Sequence, residues 1–374
     1  MNTKTAILLI AGLVVVAVAF CYHLQHAGPA SSPAPTEPVS TRSMPRPRLP
    51  APRTTPQATP AEAVAEILQP TNAFARLFKE DGELPKLSRD QIESYLAQNR
   101  RSAESLTAAY CRTGDRSLLQ EAAEKQPHDP RVSFAGWTSA YRNESSAPEE
   151  FRQRLDAFKQ SAPDNALANY LSAQDYFKSG QTDRAVEELI AAAGKSKFQD
   201  YSADYVQNVE EAYLAGGCSE SEAKAAAAYT VLLPHMTELK RLGESLRDLG
   251  ARYRQAGDEP SAHAVLEMGL QLGERLEESS GGSTTLRDMM GLAIQRSVLQ
   301  GLDPGAPYDN TGQTVQNELD TLLQRRESLK ILWKQVEPIL QNMPDQELVR
   351  YFDRMKSFGE TEALRWVMSR HGNR

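Results

Sequence analysis

The chain has 374 residues, 40% hydrophobic and 24% charged, with a net charge of −7, an ordinary globular balance with room for one large or two ordinary domains. Residues 1–60 carry five basic groups (Lys4, Arg42, Arg46, Arg48, Arg53) against Glu37, so residues 61–374 hold 37 basic and 48 acidic groups, a balance of −11 that opposes nucleic-acid binding. The three cysteines, Cys21, Cys111 and Cys218, are too sparse and odd in number for a disulfide framework; Cys111 and Cys218 read as free thiols in helices, with a bridge between them as the alternative.

Residues 1–27 contain an uncharged apolar run, Ala6 to Tyr22, preceded by Lys4 and followed by no Lys or Arg before Arg42. This predicts a single-pass signal anchor with a cytoplasmic N-terminus and an extracytoplasmic body, periplasmic in a bacterium. Cleavage after Ala17-Val18-Ala19, which would leave a secreted body, is the alternative, and lipidation of Cys21 is disfavoured by Phe20 before it. Cys21, His23 and His26 read as interfacial residues, not metal ligands. Residues 28–60 hold 10 of the 22 prolines and almost no apolar bulk, which predicts an extended, disordered tether. In polyproline II it could reach at most roughly 100 Å. Residues 61–99 predict short capping helices, AEAVAEILQ, TNAFARLFKE and a helix over Ser88 to Asn99 capped by Ser88.

Residues 100–278 lack strand signals and carry apolar residues three and four apart, so the body is expected to be all-α. A tyrosine is followed four residues later by glycine at Tyr110/Gly114, Tyr176/Gly180, Tyr213/Gly217 and Tyr253/Gly257, with Tyr141/Ser145 a degenerate member. Successive tyrosines are 31, 35, 37 and 40 residues apart, the length of a two-helix repeat. In the unit around Tyr176, Tyr170, Ala173 and Tyr176 form one stripe, Gly180 ends the helix, and Ala185, Leu189 and Ala192 form the returning stripe. The unit around Tyr253 repeats this with Leu246, Gly250, Gly257, Ala262, Leu266 and Gly269.

These intervals resemble the tetratricopeptide repeat over roughly residues 100 to 275, with Leu119 in place of a small residue and one extra residue before Ala223 as departures. The resemblance implies a right-handed helical-hairpin solenoid whose first helices line a groove for an extended peptide or partner helix. The residues between the packed stripes are Arg112, Asn143, Gln174, Lys178, Gln207, Glu211, Arg247 and Arg254, which become the candidate partner-binding set. The lysine–asparagine clamp by which some family members grip a C-terminus has no evident counterpart. Residues 283–374 predict further helices, over Leu286 to Leu302 and Gln313 to Gln341 and then two short ones around Pro344 and Gly359. The stripe Leu319, Leu322, Leu323, Leu329, Leu332, Trp333, Val336 and Leu340 on the long helix must pack, as a C-terminal cap or as a homo-oligomer contact.

Motifs of chemistry are weak. Gly194-Lys195-Ser196 lacks the earlier glycine of a phosphate loop, Gly243 to Arg247 misses the last glycine of a nucleophile elbow, and His128, His235, His263 and His371 stand without a second ligand nearby. The adjacent acids Glu187/Glu188, Glu210/Glu211 and Glu277/Glu278 point about 100° apart on a helix and read as solvated faces. The expectation is therefore a membrane-tethered scaffold that binds a protein or peptide outside the cytoplasm, without cofactor, metal or catalysis. Two alternatives stand beside it: an extracytoplasmic enzyme or enzyme subunit acting on envelope polymers, which an acid beside an isolated histidine would favour, and a structural homo-oligomer.

Overall fold

The computed structural model describes residues 72–77, 84–142, 147–230, 233–278, 282–308 and 312–372, all within one compact unit of the chain, Thr71–Arg374. The expected anchor, tether, the AEAVAEILQ helix and Asn143 lie outside the described residues. The described residues are all-α, with two isolated β-bridges and no strands. No helix among them is long and apolar enough to cross a membrane.

Helices α1 (Ala73–Leu77) and α2 (Arg89–Gln98) precede five consecutive hairpins. These are α3 (Ala103–Thr113) with α4 (Arg116–Lys125), α5 (Pro130–Tyr141) with α6 (Pro148–Ser161), α7 (Ala166–Lys178) with α8 (Thr182–Ala193), α9 (Ser202–Ala215) with α10 (Glu220–Thr230), and α11 (Pro234–Gln255) with α12 (Glu259–Glu278). Helix α2 opens with a reciprocal capping box between Ser88 and Gln91. The tyrosine–glycine interval has a direct mechanical cause. Gly114, Gly180, Gly217 and Gly257 all adopt positive φ, between 71° and 88°, and reverse the chain after the first helix. The carbonyls of Tyr176, Tyr213 and Tyr253 then accept the amides of the residues just past those glycines, Gln181, Cys218 and Asp258, at 2.9 to 3.1 Å. Ala173, Ala185 and Ala262 are fully buried, and a Cβ on Gly250 would meet Leu266 at 3.0 Å, so these small residues set the close approach of paired helices.

Contacts also reach beyond neighbouring hairpins. Helix α9 packs on α3 and α2, with the Tyr95 hydroxyl donating to the Asn208 carbonyl at 3.1 Å and the Gln91 amide to the Gly216 carbonyl at 2.6 Å. Helix α11 packs along α7 and touches α5. Phe134 of α5 lies where these layers meet, its ring 5.2 to 6.4 Å from those of Trp137, Phe158, Tyr201, Tyr205 and His235.

Helix α13 (Thr285–Leu299) lies on α11 and α12, and the long α14 (Val315–Asn342) leads to the last pair, α15 (Asp345–Phe358) and α16 (Glu360–His371). A second core joins Phe74, Ala225, Val336, Leu340, Leu348, Tyr351, Phe352, Leu364 and Val367. Helix α1, placed by sequence order before the first hairpin, is part of this second core. The Asn72 amide donates to the Leu340 and Met343 carbonyls, 2.7 Å each. Of the predicted stripe on α14, Leu322, Val336 and Leu340 are buried, Leu319, Leu329, Leu332 and Trp333 are half-buried, and Leu323 is exposed.

Candidate functional site

The predicted partner-binding residues do not converge on one open groove. Gln174 is 4% exposed and accepts from the Ser245 hydroxyl at 3.4 Å, while Lys178 pairs with buried Glu238 at 2.5 Å; both look into the α7–α11 contact. Glu238 also accepts from the Tyr141 hydroxyl at 2.9 Å and from Arg241 at 2.7 Å, so Lys178 completes a structural charge cluster. Arg112 stacks 4.9 Å from the centre of the Tyr213 ring. Gln207 donates to Glu211 at 2.9 Å on the exposed side of α9. Arg247 pairs with Asp248, and Arg254 donates to the Gly301 carbonyl.

The densest buried polar group lies elsewhere, where the segment before α9, the start of α11 and the start of α13 meet. Asp200 Oδ2 is 3.0 Å from His235 Nε2 and 3.4 Å from Arg287 Nη1. Its Oδ1 accepts the Ser202 amide at 3.0 Å and the Ser202 hydroxyl at 2.7 Å. Burial pushes the Asp200 carboxyl up, but the His235 bond, the Arg287 charge and the Ser202 hydroxyl outweigh it and hold it well below the usual carboxylate range. Arg287 is pushed down by burial, opposed by Asp200 and Asp288; its Nε donates to the Leu276 carbonyl at 3.2 Å. His235 has no exposed surface, its ring lies edge-on to Phe134, and Ser202 donates to Asp200 and not to the imidazole. The group is an acid–histidine–arginine clamp, and no exposed atom of the imidazole is offered to a substrate.

This clamp forms one wall of a cleft between the hairpins and α15. The opposite wall is ionic: Lys224, 6% exposed, bridges Glu210 at 2.9 Å and Asp353 at 2.6 Å, and Lys356 reaches Glu210 at 2.7 Å. Apolar surface between them comes from Ala203, Val206, Ala228, Leu233, Phe352 and Met355. The cleft offers about 50 Å³ to the centres of water-sized molecules, enough for a few waters or one small side chain.

The remaining sequence candidates resolve plainly. Gly194 caps the end of α8, and Gly243 to Arg247 lie inside α11. The three acid pairs split as helix geometry requires, the inward member of each taking a partner. Glu188 meets Lys159 at 2.5 Å, Glu210 takes Lys224, and Glu277 takes Arg325 and Gln295. Cys111 and Cys218 are free, half-buried thiols, and burial pushes Cys111 up to about 11. Among the described residues no group of three or more His, Cys, Asp or Glu side chains stands together as a metal site. The joining of Asp200 to His235 and Arg287, 35 and 87 residues on, and of Lys224 to Asp353, 129 residues on, is invisible to motif reading, because no spacing rule links them. Comparison with protein-family models, with curated proteins and with solved structures found no match for this chain.

Proposed function

We propose that the chain is a membrane-tethered helical-repeat scaffold that recruits a protein partner outside the cytoplasm. In this reading the five hairpins are tetratricopeptide-like repeats of a solenoid folded back on itself, so that α9 and α11 cover surface that an open array would present. The observation that carries it is the succession of five hairpins, four of them closed by the tyrosine–glycine turn. Because Gln174 and Lys178 are engaged by α11, the cleft between α9, α10 and α15 replaces the first-helix groove as the partner-binding surface. Its apolar surface between two charged walls suits one inserted apolar side chain of a polar segment.

The test is affinity purification of the full chain from its own membranes, with the mature N-terminus read by mass spectrometry. A retained Met1 or Asn2 and one reproducible partner, depleted by Ala203→Arg at the exposed lip of the cleft, is the expected result. Mature chains beginning at Phe20 with nothing bound would overturn the proposal. One observation favours an enzymatic reading, the Asp200–His235 pair. For that reading to hold, His235→Gln would have to abolish a measurable envelope-polymer hydrolysis while leaving the fold's melting temperature unchanged.

A further inference from the structure

The last helical pair carries an arginine–aromatic strip whose Trp366 rests with one side on the second core and whose Phe358 is in neither core. Phe358 is 61% exposed, the most exposed of the large apolar side chains among the described residues. The Arg354 guanidinium lies 5.1 Å from the Phe358 ring centre and 5.6 Å from that of Trp366, and Arg370 lies 5.9 Å from Trp366. The spacing explains the strip: positions 354 and 358 on α15, and 366 and 370 on α16, are each one helical turn apart. Arg354 has no carboxylate partner among the described residues. Around it Glu347 is shared by Arg350 and Arg370, and Glu362 pairs with Arg365, so four arginines face two carboxylates. Lys356 of the same helix turns inward to Glu210, and Asp353 pairs with buried Lys224 while about half of its side chain stays exposed.

We propose that the Arg354–Phe358–Trp366–Arg370 strip is a docking surface for an anionic phospholipid bilayer. Three observations favour lipid as the occupant. This face carries the guanidinium groups of Arg350, Arg354, Arg365 and Arg370 on a body that is otherwise acidic, and charges farther off than a Debye length of about 8–10 Å are screened. Guanidinium groups match phosphate, while Trp and Phe rings favour the headgroup boundary. The chain also meets the body on this same module: Asn72 is bound to the end of α14, two residues before α15 begins. The inference rests on reading Ala6–Tyr22 as an anchor, because a tether raises the effective concentration of a weak surface contact toward the millimolar range. The body then has a bilayer-docked state and a free state, and the tether sets the balance.

The experiment uses the full chain reconstituted in vesicles of phosphatidylcholine with or without phosphatidylglycerol, each with brominated acyl chains as contact quenchers of tryptophan. Trp137 is fully buried and Trp333 is half-buried, so Trp366→Phe separates the strip's signal from theirs. The expected result is quenching that needs phosphatidylglycerol, vanishes in Trp366→Phe and weakens as salt is raised. The docking constant should fall roughly fivefold for each charge removed in Arg354→Gln and Arg370→Gln. Phe358→Ala, at an exposed position that cannot unfold the pair, should weaken docking as well. Quenching that is equal in neutral vesicles, or persists in Trp366→Phe, overturns the proposal. A chain that floats with the vesicles yet shows no quenching refutes the strip alone, whereas one that does not float refutes the anchor and the proposal with it. Loss of a co-purifying protein in Phe358→Ala, with no quenching in either lipid, assigns the strip to a protein and likewise overturns the lipid reading.

Discussion

The turn glycines allow the repeat argument to be tested at the level of backbone energy. Gly180 and Gly217 hold φ of 73° and 88°, and a Cβ at either would meet nothing within 4 Å. Alanine there adds no clash, so its effect is conformational: forcing a Cβ into the left-handed region costs about 1–2 kcal/mol. The reduced entropy of the unfolded chain offsets about 0.4–1 kcal/mol of that, leaving a net loss near 1 kcal/mol. Gly194 is the control. It also follows a helix, but its φ is −76°, and a Cβ would find only the Ala191 carbonyl at 3.9 Å. Gly194→Ala is therefore neutral or stabilising by about 0.5 kcal/mol. Urea denaturation of the full chain in detergent, followed by circular dichroism, should place Gly180→Ala and Gly217→Ala below the wild type and about 1–1.5 kcal/mol below Gly194→Ala. Equal shifts of the same sign would refute the claim that the tyrosine–glycine interval exists to reverse the chain through a left-handed residue.

Asp200→Ala strands Arg287 and His235 in the interior and should cost about 3–5 kcal/mol, read by the same denaturation. Asp200 is held below its unfolded value, so its contribution is fully present above pH about 4 and is lost as pH falls toward its folded value; the acid limb of stability against pH should be flatter in Asp200→Asn. Glu360 has the opposite sign: burial raises its carboxyl, with the Asp288 charge adding to the rise and the Thr285 amide bond opposing it. It therefore withdraws stability as pH rises from the ordinary glutamate value of about 4.3 through its raised one. Glu360→Gln, which can still accept the Thr285 amide, should gain on the wild type across that interval and match it below. Cys111, with burial pushing its thiol to about 11, should resist alkylation at neutral pH in the folded chain and react freely in denaturant, as peptide mapping by mass spectrometry would show.

Much of the architecture was legible because it is local. A helix start depends on a cap such as Ser88, and a helix stop depends on a residue that tolerates positive φ, such as Gly180 or Gly257. The pairing of neighbouring helices depends on small residues such as Ala173 and Ala185 at matched heights. All of these act over a few residues, so composition and spacing reveal them. The candidate site was much less legible. Gln174 and Lys178 read from sequence as lying between the packed stripes, and whether that face is solvent or interface depends on where α11 comes to rest.

Local sequence dictates the alphabet of the body, its helices, their ends and their pairwise hairpins, together with the apolar first segment and the proline-rich stretch after it. Tertiary structure alone decided that α9 returns to α3 and α11 to α7, that α1 joins the C-terminal core, and that Asp200, His235 and Arg287 share one buried site. The physical reason is range. Capping, turn geometry and helical periodicity are set by neighbours in the chain, whereas burial and charge pairing are set by whatever surface the fold brings opposite, and an acidic side chain carries no mark of the arginine, 87 residues away, that will neutralise it.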